Sequence, residues 1–111
     1  MNLNIWSKNY QNAKLKFNKQ INLLIDKGFK VKHSTLDIGE KDPDGNNLYI
    51  DIIWLGDSDC DKLYMSTSGI HGVEGFAGSA IQLSILDNLD KLPDKTALAF
   101  IHILNPWGMS W

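Results

Sequence analysis

The chain has few of the features that identify secreted, membrane or nucleic-acid-binding proteins. It contains one cysteine, Cys60, and therefore can form no internal disulfide bond. No apolar run reaches the roughly 18 residues of a membrane-spanning helix, and the first ten residues are too polar for a secretory signal. The net charge is −2, so there is no basic patch dense enough for nucleic acid. We therefore expect a cytoplasmic protein that binds neither membranes nor nucleic acids.

Several common functional motifs are also absent. Residues 66–69 do not match the Gly-x-Ser-x-Gly elbow of serine hydrolases, and no Gly-Lys-Ser/Thr phosphate loop occurs. The glycines do not follow the Gly-x-Gly-x-x-Gly pattern of dinucleotide-binding proteins. Two acidic loops, 42–46 and 57–61, lack the glycine and glutamate that an EF-hand needs at its sixth and twelfth positions. We interpret these loops as solvated turns.

The composition is that of one small domain, spanning residues 1–111, with 43% apolar and 22% charged residues. A helix is predicted after Ser7, a plausible N-cap, and is expected to stop at Gly28. Apolar residues recur there at helical spacing: Tyr10, Ala13, Phe17, Ile21, Leu24 and Ile25. Because the apolar stripe is narrow, we interpret the helix as packing on a sheet, not as lying on a membrane.

Four segments have the pattern of β-strands: residues 29–38, 48–55, 62–68 and 96–104. The last is almost continuously apolar, which is typical of a central parallel strand that is covered on both faces. A helical pattern at residues 77–89 separates it from the third strand, which predicts a right-handed strand–helix–strand unit. The sequence therefore predicts an α/β fold with a mixed, partly parallel sheet flanked by helices.

The most informative stretch, residues 68–79, follows the third strand and contains His71 and Glu74 among four glycines. Ligands of open α/β folds collect at the carboxyl ends of strands, and zinc binds imidazole nitrogen and carboxylate oxygen. We therefore predict that His71 and Glu74 are zinc ligands. Their hydroxyl-bearing neighbours Ser68 and Ser79 are candidates to hydrogen-bond the two ligands.

The four glycines fit this interpretation. Gly69 and Gly72 permit backbone angles that other residues avoid, while Gly75 and Gly78 let the helix start close to the sheet. The His-x-x-Glu pattern also has a structural interpretation without a metal, since a glutamate at a helix N-terminus is favoured by the helix dipole.

The remaining polar residues of the predicted strands are less informative. We interpret His102, which lies inside an apolar run, as a core histidine and not a ligand, and His33 as a solvated strand residue. Asp51 interrupts another apolar run, so it lies at a sheet edge or pairs with a lysine.

Residues 67–79, together with the Asn-Pro-x-Gly turn at 105–108, resemble the zinc carboxypeptidase superfamily, in particular a carboxypeptidase-like branch labelled a domain of unknown function. The resemblance covers nearly the whole chain. It implies that His71 and Glu74 are the first two zinc ligands and that the sheet has helices on both sides. It also implies hydrolysis of a C-terminal peptide bond or a related amide, with zinc activating water.

Three parts of that superfamily's site have no counterpart in this sequence. These are a third ligand, which is a downstream histidine, a glutamate general base, and the arginine and asparagine residues that hold the substrate carboxylate. We therefore expect the chain to be the N-terminal part of a catalytic domain, with no assignable catalytic residue. By itself it should be inactive or bind zinc very weakly.

Two other classes of function stay open. One is a non-catalytic interaction module that self-associates or pairs with another chain through an exposed sheet edge. The other is a metal-free α/β hydrolase-like module. In a longer family member, the resemblance implies a peptide or acyl-amide substrate.

Overall fold

The computed structural model describes residues 3–111 and contains one mixed sheet of four strands. After a short 3₁₀ helix (Leu3–Ile5), the elements are α1 (Tyr10–Asp26), β1 (Val31–Lys41), β2 (Asn47–Leu55), β3 (Lys62–Thr67), α2 (Gly75–Asp87), β4 (Thr96–His102) and α3 (Pro106–Ser110). The strand order is β1-β2-β4-β3. β4 runs antiparallel to β2 and parallel to β3. This confirms the predicted partly parallel sheet.

The N-cap of α1 is Asn9 and not the predicted Ser7. The Asn9 side chain accepts a hydrogen bond of 2.8 Å from the backbone N–H of Asn12. Asn9 has an extended backbone, and its side-chain oxygen binds the N–H three residues later in the chain. Both features are typical of an N-cap. At the other end, Gly28 has a φ of +94°, which confirms the predicted stop.

The apolar stripe of α1 packs against the sheet, as predicted, with one exception. Ile25 is 52% exposed, because it lies about 100° around the helix from the buried Leu24. The main buried cluster joins α1, β2, α2 and β4 through Phe17, Ile21, Leu24, Ile53, Leu55, Leu83, Leu86 and Phe100. α1 and α2 therefore cover the same face of the sheet.

The opposite face of the sheet differs from the expectation of helices on both sides. The register places Ile52 beside Ile101 and Met65 beside Ala99 on this face, and Ile52 and Met65 are exposed. Neither α1 nor α2 covers it, since both helices share one cluster on the other face. β4 is buried because of its small alanines and its position between two strands, not because helices cover both of its faces.

Asp51 lies inside the sheet and not at an edge, since β2 is flanked by β1 and β4. Its carboxylate is fully buried and accepts hydrogen bonds from Lys14 at 2.7 Å, His33 at 2.8 Å and Thr35 at 2.9 Å. This confirms the predicted pairing with a lysine. It also shows that His33 is a partner of Asp51 and not a freely solvated residue.

None of the helices described for residues 3–111 is both long and apolar enough to cross a membrane.

Candidate metal centre

His71 and Glu74 lie together on the molecular surface. β3 and β4 are parallel, so the loop after β3 lies at the carboxyl end of this strand pair. The side chains of His71 and Glu74 are 88% and 48% exposed, and Nδ1 of His71 lies 3.4 Å from Oε1 of Glu74. The fold therefore brings the two predicted ligands to one solvent-accessible point.

The Glu74 carboxylate is held by the loop that precedes it. It accepts hydrogen bonds from the backbone N–H groups of His71 and, at 3.0 Å, of Gly72. The backbone N–H of Glu74 itself and that of His71 hold the pKa of this carboxyl group below its usual value. Glu74 is therefore an anion at neutral pH, as a metal ligand must be and as a helix N-terminus also favours.

The donor chemistry of this pair fits zinc, but the set is incomplete. One imidazole nitrogen and one carboxylate oxygen are ordinary zinc ligands, whereas a catalytic zinc normally has three protein ligands. Among residues 3–111, no three histidine, cysteine, aspartate or glutamate side chains are grouped closely enough to hold a metal ion. The described residues thus bring together two side chains of the kind that binds zinc, fewer than a catalytic centre needs.

The turn that follows β4 holds this loop in place, a contact that sequence reasoning did not identify. Asn105 donates a hydrogen bond of 2.7 Å from Nδ2 to the carbonyl oxygen of His71. Its Oδ1 accepts one of 2.9 Å from the N–H of Gly108. The Asn-Pro-x-Gly pattern indicates the turn itself. It does not indicate that Asn105 binds His71, which lies 34 residues away in sequence.

The family model described as "Protein of unknown function (DUF2817)" matches residues 6–111, nearly the whole chain. The chain belongs to this family. None of the curated protein sequences matches it. Membership confirms the resemblance to a branch labelled a domain of unknown function, while the assignment to carboxypeptidases stays a prediction.

Several solved structures are similar to this DUF2817 chain. The crystal structure of Porphyromonas gingivalis glutaminyl cyclase has a TM-score of 0.51 and 17% identity, over 90% of this chain and 44% of that chain. Another structure of the same enzyme has a TM-score of 0.49 and 16% identity, covering 83% and 36% of the two chains. Macrostomum lignano glutaminyl cyclase has a TM-score of 0.47 and 16% identity, covering 87% and 32%. At these identities the likeness concerns the fold alone, and this chain spans less than half the length of each.

The hydroxyl groups of Ser68 and Ser79 lie away from the two predicted ligands. Ser68 donates a hydrogen bond of 2.8 Å to Gln82, and Ser79 is paired with Nε2 of His102 at 2.7 Å. Both serines are buried between α2 and the sheet, whereas the His71 ring is in solvent. Their hydroxyls therefore stabilise the packing of α2 and do not orient His71 or Glu74.

Gln82 links α2 to the ends of two strands. Its amide nitrogen lies 3.2 Å from the carbonyl oxygens of Ser66 and Ile101. Sequence reasoning missed this residue, although a glutamine three positions after Ser79 on the apolar face of a helix was an available signal.

His102 is a core histidine, as predicted. Its ring is fully buried and stacks on Phe17, with ring centroids 4.3 Å apart. Burial lowers its pKa to about 4, so the ring is neutral at neutral pH. The Ser79–His102 pair is therefore out of reach of a substrate and does not support the metal-free α/β hydrolase-like module.

The glycines allow the loop to lie close to its neighbours, but the unusual backbone angle predicted for Gly72 is wrong, because its φ is not positive. Gly69 has a φ of +70°, and a Cβ atom there would overlap the side chain of Ile103. A Cβ at Gly78 would lie 2.6 Å from Cβ of Ser68, so α2 could not start as close to β3. These close approaches place Glu74 at the strand end.

Proposed function

We propose that this DUF2817 chain contributes His71 and Glu74 to the zinc centre of a hydrolase that cleaves a C-terminal peptide bond or a related amide. The observation that supports the proposal best is the meeting of an imidazole and an anionic carboxylate, 3.4 Å apart, at the carboxyl end of a parallel strand pair. The substrate would be a peptide or an acyl amide.

The residues of this chain would hold and orient the metal. His71 presents its ring to solvent from a loop that is hydrogen-bonded on both sides, and Glu74 supplies negative charge. A bound zinc ion would supply Lewis acidity and an activated water. Neither a third ligand nor a general base is found in residues 3–111 close to this pair. We therefore expect weak zinc binding and no turnover by this chain alone.

The direct test is zinc binding to the purified chain, measured by competition with a chromophoric chelator. His71→Gln and Glu74→Gln should each weaken binding at least tenfold, since each removes one of two donors. Matched controls are His33→Gln, which removes another accessible histidine, and Glu40→Gln, which removes an exposed glutamate on β1. Equal zinc binding by His71→Gln and the wild type would refute the proposed centre.

Activity can be measured in the same preparations. Release of a C-terminal amino acid from peptides, hydrolysis of acyl amides and cyclisation of an N-terminal glutaminyl peptide should all stay at the blank rate. Turnover of any of them that is lost in His71→Gln would show that the site is complete without the expected third ligand.

An interaction module is a second candidate, favoured by the free edge of β3. The side chains of Leu63, Tyr64 and Met65 are all largely exposed there, and Lys62 is the only charged residue of the strand. The other edge strand, β1, is protected by charged side chains and by a register irregularity between Asp37 and Lys41. We propose that β3 pairs with a strand of a second copy.

A further inference from the structure

We propose that Asn105 and Gly108 are positioning residues for His71, holding its peptide unit so that the imidazole and Glu74 meet at one point. This inference rests on the proposed zinc centre. It concerns residues that do not offer a ligand to the metal and that act through the backbone of the His71 loop.

Asn105 makes three hydrogen bonds within and between the turn after β4 and the His71 loop. Its side-chain amide donates to the carbonyl oxygen of His71 at 2.7 Å, and its Oδ1 accepts from the N–H of Gly108 at 2.9 Å. Its own backbone N–H donates to the carbonyl oxygen of Gly69 at 2.8 Å. Only a side chain with both a donor and an acceptor can make the first two contacts at once.

Gly108 allows the turn to lie directly against the His71 loop. A Cβ atom at Gly108 would overlap the carbonyl oxygen of His71 and would lie 2.6 Å from Nδ2 of Asn105. In the other direction, a Cβ at Gly72 would lie 3.1 Å from the carbonyl oxygen of Gly108. The loop and the turn therefore interlock through backbone atoms, with no space for a side chain between them.

The consequence for the metal site follows from the exposure of the His71 ring. Because 88% of the side chain is in solvent, packing restrains the ring little. The structure instead restrains the backbone from which the ring projects, whose carbonyl group is held by Asn105 and whose N–H is held by Glu74. A ligand fixed in advance loses less conformational entropy on binding a metal, which raises affinity.

Capping of α3 explains only one of the two side-chain contacts of Asn105. Oδ1 of Asn105 caps α3 through Gly108, whereas the bond from Nδ2 to His71 does nothing for α3. Asn105→Asp separates the two roles. It keeps an acceptor for the N–H of Gly108 but replaces the donor with a carboxylate oxygen facing the carbonyl of His71.

The test compares Asn105→Asp with Asn88→Asp, a matched control. Asn88 also donates from its side-chain amide to a backbone carbonyl, that of Ser84 at 2.8 Å, but at the end of α2. Asn105→Asp should weaken zinc binding about tenfold or more, the range found when groups that orient a ligand are changed. It should also speed hydrogen exchange at the amides of His71 and Gly72 in the zinc-free chain. Asn88→Asp should do neither.

The possible outcomes separate this inference from the proposed function. If Asn105→Asp speeds exchange but leaves zinc affinity unchanged, Asn105 is structural and the inference is wrong. If wild-type zinc binding is no stronger than that of His71→Gln, the zinc proposal fails. In that case, unchanged exchange at His71 and Gly72 in Asn105→Asp would also refute the positioning of the loop. Gly108→Ala, which pushes on the same carbonyl, should act in the same direction as Asn105→Asp.

Discussion

His102 is the residue whose protonation should affect the stability of the fold most clearly. Its ring is buried against Phe17 and its pKa is lowered to about 4, compared with about 6.5 in an unfolded chain. Below pH 6.5 the unfolded chain therefore binds a proton that the folded chain does not. Stability is unaffected by this group above pH 6.5 and falls as the pH drops to 4.

The expected loss is on the order of 3 kcal/mol between pH 7 and pH 4, from about 1.4 kcal/mol per unit of pKa shift. Denaturant unfolding of the wild type and of His102→Gln across this range measures it. The variant should be less stable at pH 7 but should lose less stability towards pH 4. Buried Asp51, whose pKa is lowered by Lys14 and His33 despite desolvation, adds to acid sensitivity in both proteins. Parallel pH profiles would contradict this role of His102.

At the level of elements, the approach of α2 to β3 places Glu74 at the strand end. A glycine inside a helix usually costs about 1 kcal/mol relative to alanine, so Gly78→Ala would stabilise an isolated helix. In this protein the added Cβ would lie 2.6 Å from Cβ of Ser68 and 3.3 Å from its Cα. Overpacking of this kind typically costs about 1–3 kcal/mol, so Gly78→Ala should be destabilising.

Chemical denaturation of Gly78→Ala checks this expectation, with Ser84→Ala on the same helix as control. Ser84 is partly exposed, so its replacement should leave the free energy of unfolding about the same or raise it slightly. Zinc affinity should also fall in Gly78→Ala, because α2 carries Glu74 at its start. A Gly78→Ala protein as stable as the wild type would show that α2 does not need this close approach.

At the level of the whole molecule, an uncovered sheet face and an unprotected edge suggest association. If two copies pair through β3, the chain should dimerise with increasing concentration, and chelators should have no effect. Sedimentation velocity measures this directly. Met65→Lys should abolish the dimer, since it places a charge on the exposed apolar strand.

Leu36→Lys is the control for this experiment. Leu36 is also exposed, but it lies on β1, the protected edge, so its replacement should leave dimerisation intact. A chain that stays monomeric at high concentration, or that dimerises equally well as Met65→Lys, would refute pairing through β3.

Most of the elements could be predicted from local patterns. The stripe from Tyr10 to Leu24, the stop at Gly28 and the apolar run of β4 each reflect spacing within a few residues, and periodicity reports such spacing well. The meeting of His71 and Glu74 is local for the same reason, because three residues separate them. The metal itself is not a local property, since two donors do not make a catalytic site.

Contacts between distant residues were beyond these patterns. Both helices cover one face of the sheet because α1 and α2 pack on each other, and no periodicity reports which face a second helix takes. Asp51 can be buried because Lys14 and His33, from two different elements, hydrogen-bond its carboxylate. The hydrogen bonds of Ser68 with Gln82 and of Ser79 with His102 likewise join residues that are far apart in sequence.

The bond from Asn105 to His71 shows this limit most clearly. The sequence specifies an Asn-Pro-x-Gly turn and a His-x-x-Glu loop, each through its own backbone preferences. Their interlocking depends on β3 and β4 lying side by side in parallel, so that two segments 34 residues apart end at the same place. Local backbone preferences and apolar spacing thus determined the helices and strands. Burial of apolar surface between these elements determined which of their ends lie side by side at the site.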